Sequence, residues 1–398
     1  MAEKKGISPE KLTFKKLLRN RIAQLSFGVI LLITLIAILG PFVRPDHSPD
    51  ANTQLLSISR MKPGFTADLL MVHKNEAYKR PNFFTCIADG GWEYSSNYIP
   101  LESWEIKSDS VFYKATGEDE ILSIHLVDVL YHLGEGNHQK TNTGHTVSHF
   151  KDGELVSETV SDTELTQRYS DAIIRKTYLL GTDKYGRDYL SRLMAGTAIS
   201  ISVGFIAVII SLLIGILLGL LAGYYRGRTD DFIMWFINVI WSIPTLLMVM
   251  AITLVFGKGF WKVFLAVGLT MWVEVARIVR GQVIAERELD YVTAARSLGF
   301  SDLRIMLKHI LPNIFSPVIV VTAANFAAAI LIEAGLSFLG IGAQVPTPSW
   351  GNMIKEHYAY ITTDYAYLAI LPGVCIMILV LAFMLLGNAL RDALDVKS

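Results

Sequence analysis

Five stretches of this chain contain no Asp, Glu, Lys or Arg at all: residues 25–43, 198–225, 232–256, 314–332 and 365–390. About 20 residues of helix cross the roughly 30 Å of bilayer hydrocarbon, and a backbone in lipid has no water to bond to, so such runs close their own hydrogen bonds as helices. A sixth span is expected over 260–279. Its uncharged part is short, but Glu274 and Arg277 stand three apart on one helix face and are placed to pair near an interface. The fold class is therefore an all-α integral membrane protein with six transmembrane helices, at about 22–43, 198–225, 232–256, 260–279, 314–335 and 365–390. The 52% hydrophobic content of its 398 residues agrees.

Lys and Arg concentrate in cytoplasmic flanks. The arm 1–21 holds seven of them, and Arg226, Arg228, Arg277, Arg280, Arg287, Arg296, Arg304, Lys308, Arg391 and Lys397 fall on the same side, against Lys258, Lys262 and Lys355 opposite. Both termini are predicted to be cytoplasmic, with the first span kept as an anchor rather than cleaved. No basic block remains to suggest nucleic acid. Cys86 and Cys375 fall in a polar and an apolar setting and define no disulfide framework.

Residues 44–180 form a polar stretch that this topology places outside the cytoplasm. A loop of that length carries its own fold. The alternation in HTVSHFKDGELVSETV around Asp152-Gly153 predicts a hairpin, so the inserted domain should contain some β-structure. Phe83, Phe84, Trp92, Tyr94, Tyr98 and Trp104 are expected to fill its core, with a docking face as the alternative. Histidines 132, 138, 145 and 149 also fall here, but the local pattern reads as strand and no metal site is expected. GTDKYGRD at 181–188 has phosphate-loop glycine spacing without the required Lys and Ser/Thr. Neither catalytic residues nor a cofactor site are expected in this chain.

Within the spans, Gly215, Gly219 and Gly223 recur every four residues, as in seams where two helices approach closely. Pro244 and Pro372 each remove a backbone donor and predict kinks. Trp350 is expected to anchor an outer turn at the interface, and Glu333 to face the outer mouth of a pathway, with Asn325 two turns further in.

The most informative stretch is 290–313, DYVTAARSLGFSDLRIMLKHILPN. Tyr291, Ala294, Ala295 and Leu298 fall at helical spacing; Gly299 suits a left-handed C-terminus, Ser301 a cap and Asp302 the positive end of the next helix. Leu303, Met306, Leu307, Ile310 and Leu311 then make a second apolar face, with Arg304 and Lys308 on the other side. A rigid helix–turn–helix on the cytoplasmic surface is the expectation.

YVTAARSLG followed by HILPN resembles the coupling-helix motif of ABC importer permeases, although Thr293 stands where that motif often has Glu. LLGTDKYGRDYLSRLMAG and EAGLSFLGIGAQVPTPSWGNMI resemble signatures of the C-type permease of dipeptide and oligopeptide ABC importers, and the likeness covers the N-terminal anchor and 178–398. The insert does not match that family's short loop. The resemblance implies a type I importer permease fold in a bacterial cytoplasmic membrane. It also implies a second related permease, two cytoplasmic ATPase subunits that bind ATP and Mg, and an extracytoplasmic solute-binding protein. The loop 280–312, with Tyr291, Ala294, Ala295, Arg296, Leu298, Gly299, Arg304 and Lys308, would couple to the ATPase. Nickel chelates and glutathione are alternative cargoes, and a membrane-anchored enzyme is the competing class.

Overall fold

The computed structural model describes residues 16–394 except 80, 135–137, 142–143, 152 and 258. Most of the basic arm, Lys258 and Asp152 of the expected hairpin turn therefore lie outside the described residues. The chain divides into two compact units, one of residues 38–195 with 363–368, the other of 1–37, 196–362 and 369–398.

Helix α1 (Arg21–Val43) is long and apolar. The unit built on 38–195 is largely β. Strands β1 (Phe65–His73), β2 (Ser96–Lys107), β3 (Ser110–Ala115) and β4 (Ile121–His125) join β8 (Ile173–Tyr178) in an antiparallel sheet of order β4-β3-β2-β1-β8. A second antiparallel sheet holds β5 (Gln139–Thr141), β6 (Gly144–Lys151) and β7 (Glu154–Val160). Lys151 opposite Glu154 gives β6 and β7 a two-residue connection, and Gly153 in it has φ +90°, the left-handed conformation that such a turn requires.

Between the strands lie short helices α2 (Phe83–Ala88), α3 (Leu126–Leu130) and α4 (Asp162–Gln167). Leu70, Val111, Leu126, Val127, Val147 and Leu165 are fully buried together, each worth about 1.5–3 kcal/mol relative to exposure. This core is mainly aliphatic, which corrects the aromatic expectation. Phe83 and Phe84 are 51% and 80% exposed and Trp104 is 38% exposed, whereas Trp92 is buried. Phe83 and Phe84 are neighbours on α2, a helix of one and a half turns with only Cys86 buried.

The GTDKYGRD stretch is a structural knot. Asp183 and Arg187 are both buried and paired at 2.6 Å, and Asp183 Oδ1 accepts from the Tyr185 and Arg187 amides at 2.8 and 3.0 Å. Gly186 has φ +71° and lies so close to the Leu55 carbonyl that a side chain cannot fit. Asp188 Oδ1 accepts from Ser191 N at 2.7 Å at the start of the next helix.

The other unit is helical. It contains most of α5 (Tyr189–Tyr225), then α6 (Gly227–Trp241), α7 (Thr245–Phe256), α8 (Phe260–Glu286), α9 (Asp290–Ser297), α10 (Asp302–Ile305), α11 (Phe315–Phe338), α12 (Trp350–His357) and most of α13 (Tyr367–Leu394). Among the described residues, α1, α5, α11 and α13 are each long and apolar enough to cross a membrane, and the α6–α7 pair is a fifth if it counts as one span. The span expected over 232–256 carries the kink expected at Pro244. Its two halves meet at 89°, and Pro244, extended at φ −54° and ψ 126°, stands at the break. Pro372, by contrast, lies inside an unbroken α13.

Helix α8 packs against α6, α7 and α11. It has the length of a span, but its charges keep it from being apolar enough. Arg277 turns to Asn238 Oδ1 at 2.7 Å and lies 3.8 Å over the Trp241 ring, rather than to Glu274 as expected. Helix α12 begins at a Ser349 cap that accepts from Asn352 N at 3.2 Å. Trp350 is only 2% exposed and packs at Gly196, so it is a core residue and not the expected interface anchor.

Candidate functional site

Residues 290–313 fold as helix, turn and helix. Helix α9 stops where Gly299 takes φ +78°, and Phe300 N closes the turn on Ala295 O at 3.2 Å. Ser301 sits extended at the cap position of α10, but its side chain makes no capping bond. Asp302 is held by the Tyr224 hydroxyl, which donates to Oδ1 at 2.7 Å. The ladder then widens to a π turn over Met306–Ile310 before Leu311–Asn313, where Pro312 has no amide to offer.

This geometry splits both expected apolar faces. Val292, Ala295, Ile305, Met306 and Ile310 are buried in one cluster with Leu220 and Tyr224 of α5, Val279 and Val283 of α8, and Val318 of α11. Ala294 points outward, and Leu298, Leu303 and Leu307 are 73%, 63% and 47% exposed. An eight-residue helix is too short for its stripe to fix its tilt, and the extra residue in a π turn rotates the following side chains around the axis. One half of the motif is thus cemented to the membrane helices and the other half is offered to the surroundings.

The anchoring is specific. Arg287 and Arg296 lie 5.8 and 5.1 Å from the Tyr224 ring, and Arg287 also donates to the Tyr224 carbonyl. Arg304 lies 4.1 Å over Phe300, which stacks on His309 at 5.6 Å. The Tyr291 hydroxyl donates to Glu286 Oε2 at 2.6 Å, and burial together with that carboxylate pushes its pKa up. Arg296 and Arg304 remain exposed while they stack, and Lys308 is exposed as well. Tyr224 is a residue that sequence reasoning missed; an aromatic pair ending an apolar span was its available signal.

The glycines lie at closest approach between α5 and α8. A Cβ on Gly215 would come 2.9 Å from the Trp272 carbonyl, one on Gly219 2.7 Å from that of Ala276, and one on Gly223 2.8 Å from that of Arg280. Directly beyond this seam, Asp230 on α6 receives a two-pronged bond from Arg280 at 2.5 and 2.6 Å.

Glu333 does not face an open mouth. It is 2% exposed, and Ser337 Oγ donates to its Oε1 at 2.6 Å. Ser337 Oγ in turn accepts from Ala343 N at 3.1 Å, so the carboxylate holds the turn after α11. Asn325 is 1% exposed and likewise faces inward.

Taken together, the apolar helices define an integral membrane protein that presents a half-exposed helix–turn–helix between α8 and α11. The family described as binding-protein-dependent transport system inner membrane component matches residues 215–397, and the N-terminal TM domain of oligopeptide transport permease C matches 8–63. The glutathione transport system permease protein GsiD of Escherichia coli O6:K15:H31 (strain 536 / UPEC) is 43% identical over 217 residues, 54% of this chain and 71% of that protein. The di/tripeptide transport system permease protein DppC of Pseudomonas aeruginosa (strain UCBPP-PA14) is 43% identical over 220 residues, covering 55% and 72%. An inward-facing MetNI methionine ABC transporter structure aligns with 51% of this chain and 96% of its own at 17% identity and a TM-score of 0.43.

The chain belongs to the permease family of binding-protein-dependent ABC importers. It is the membrane subunit of such an importer, a family that works with an ATPase and a binding protein.

Proposed function

We propose that this chain pairs with a second, related permease and moves small peptides inward, glutathione among the candidates, while two ATPase subunits that bind ATP and Mg supply the work. In this reading α8 and the bent α6–α7 pair complete six spans, both termini and 280–312 are cytoplasmic, and the 38–195 unit lies outside. The relatives' names support the cargo class. Positive charge at Arg226, Arg228, Arg280 and Arg287 supports the orientation.

The observation that carries the coupling is the divided surface of 290–313. Leu298, Leu303 and Leu307 are exposed on a segment whose other face is locked to α5, α8 and α11. A force on the exposed half is therefore transmitted to three membrane helices at once. ATP binding biases the two access states only by its differential contacts with them.

Native mass spectrometry of the gently extracted chain tests this. The expected particle contains a second permease and two ATPases. Leu298→Asp with Leu303→Asp should remove the ATPases while the permease pair persists, because neither side chain supports the fold. If the double variant retains its ATPases, the docking assignment is wrong.

A further inference from the structure

Three histidines far apart in sequence meet in the β-rich unit. His125 ends β4, His138 precedes β5 and His145 lies on β6, and one ligating atom from each lies within 4.8 Å of the others. The His125 ring is 4.4 Å from that of His138 and 4.6 Å from that of His145. His145 is 1% exposed, and both of its ring nitrogens, together with His125 Nε2 and His138 Nδ1, are buried without a hydrogen-bond partner among the described residues.

Carboxylates converge on the same place. Asp109 Oδ2 lies 3.2 Å from His125 Nε2 and 3.8 Å from His145 Nε2, Asp162 Oδ1 lies 3.3 Å from His145 Nε2, and Asp128 Oδ1 lies 3.6 Å from His138 Nδ1. Ligand atoms bound to one tetrahedral ion at about 2.0–2.1 Å stand roughly 3.3 Å apart, so the Asp109 separations already approximate two edges of such a tetrahedron. Neutral imidazole and carboxylate are the donors that suit Zn²⁺.

We propose that His125, His138, His145 and Asp109 form a binding site for a divalent transition-metal ion of the Zn²⁺ type. Asp128 lies at His138 Nδ1 and orients that imidazole from behind, whereas Asp162 lies at the same His145 nitrogen as Asp109. The ion would clamp the five-stranded sheet, through His125 and Asp109, to the three-stranded sheet, through His145. Two contacts change on binding. Lys140, now 3.2 Å from Asp109 Oδ2, swings away into solvent, and His125 Nδ1 releases the Val127 amide that it caps at 3.1 Å.

The alternation of β6 concealed this site from sequence reasoning. On a strand His145 and His149 do share a face, but the partners of His145 come from another sheet and a loop rather than from its own strand.

The test uses the full chain in detergent, carrying a tag without histidines and stripped with EDTA, then titrated with Zn²⁺ against a fluorescent chelator. One Zn²⁺ per chain is expected, with affinity weakened at least about tenfold in His138→Gln and Asp109→Asn and unchanged in His309→Gln on the other unit. Co²⁺ should show the intense visible absorption of a four-coordinate site. His138 is half-buried, so His138→Gln should keep the apo unfolding midpoint and lose only its rise with Zn²⁺. Absence of one-to-one binding, or equal binding by His138→Gln and the unaltered chain, overturns the proposal.

Discussion

Gly219→Ala is the sharpest probe of how the membrane helices hold together. The added methyl would sit 2.7 Å from the Ala276 carbonyl oxygen and 2.7 Å from Val279 Cβ, where ordinary contact begins near 3.4 Å. Neither neighbour can rotate away, since one is backbone and the other is β-branched. The two helices must therefore part by several tenths of an ångström, and because Gly215 and Gly223 lie in the same seam, the loss extends along it. Overpacking of this kind costs about 1–3 kcal/mol, offset by up to about 1 kcal/mol of helix propensity gained over glycine.

Gly281, on α8 itself, has nothing within 4 Å of its Cβ position, so Gly281→Ala should keep the propensity gain alone. The propensity gain is common to both variants, so they should differ by the overpacking cost alone, about 1–3 kcal/mol, with Gly219→Ala the less stable. Equilibrium unfolding of the isolated chain in mixed micelles measures it. If Gly219→Ala and Gly281→Ala shift the transition equally, close approach at the seam is not what stabilises this unit.

Asp183→Asn should cost about 3–5 kcal/mol, because it leaves the Arg187 guanidinium buried beside a neutral amide; thermal unfolding followed by β-sheet circular dichroism reads the loss, and a change below about 1 kcal/mol would refute the pairing. His73 is driven down from 6.5 to about 4 by burial, reinforced by His132 and Arg168. The unfolded chain takes up this proton below pH 6.5 while the folded one does so only near pH 4, so stability present above pH 6.5 should fall across that window. Screening of a half-buried ring limits the loss to about 1–2 kcal/mol, and His73→Gln should flatten that part of the stability profile. Gly186→Ala should destabilise the same unit by about 2 kcal/mol or more, since a φ of +71° and the Leu55 backbone both oppose a side chain; an unchanged melting curve would contradict it.

What was legible in the sequence was whatever depends on local composition and spacing. Uncharged runs announced α1, α5, α11 and α13, because burial in lipid is a property of each helix taken alone. Gly299 announced its turn, and alternation announced β6 and β7, because backbone conformation and strand period are local too. The tertiary structure decided what depends on neighbours distant in the chain. It split the faces of 290–313 through the contacts with Tyr224 and α8, turned Glu333 inward to Ser337, and chose an aliphatic core over an aromatic one. His125, His138 and His145 came together by the same route. Periodicity records which face of an element is apolar, but the partner that covers that face, or a side chain's charge, is settled only when elements pack.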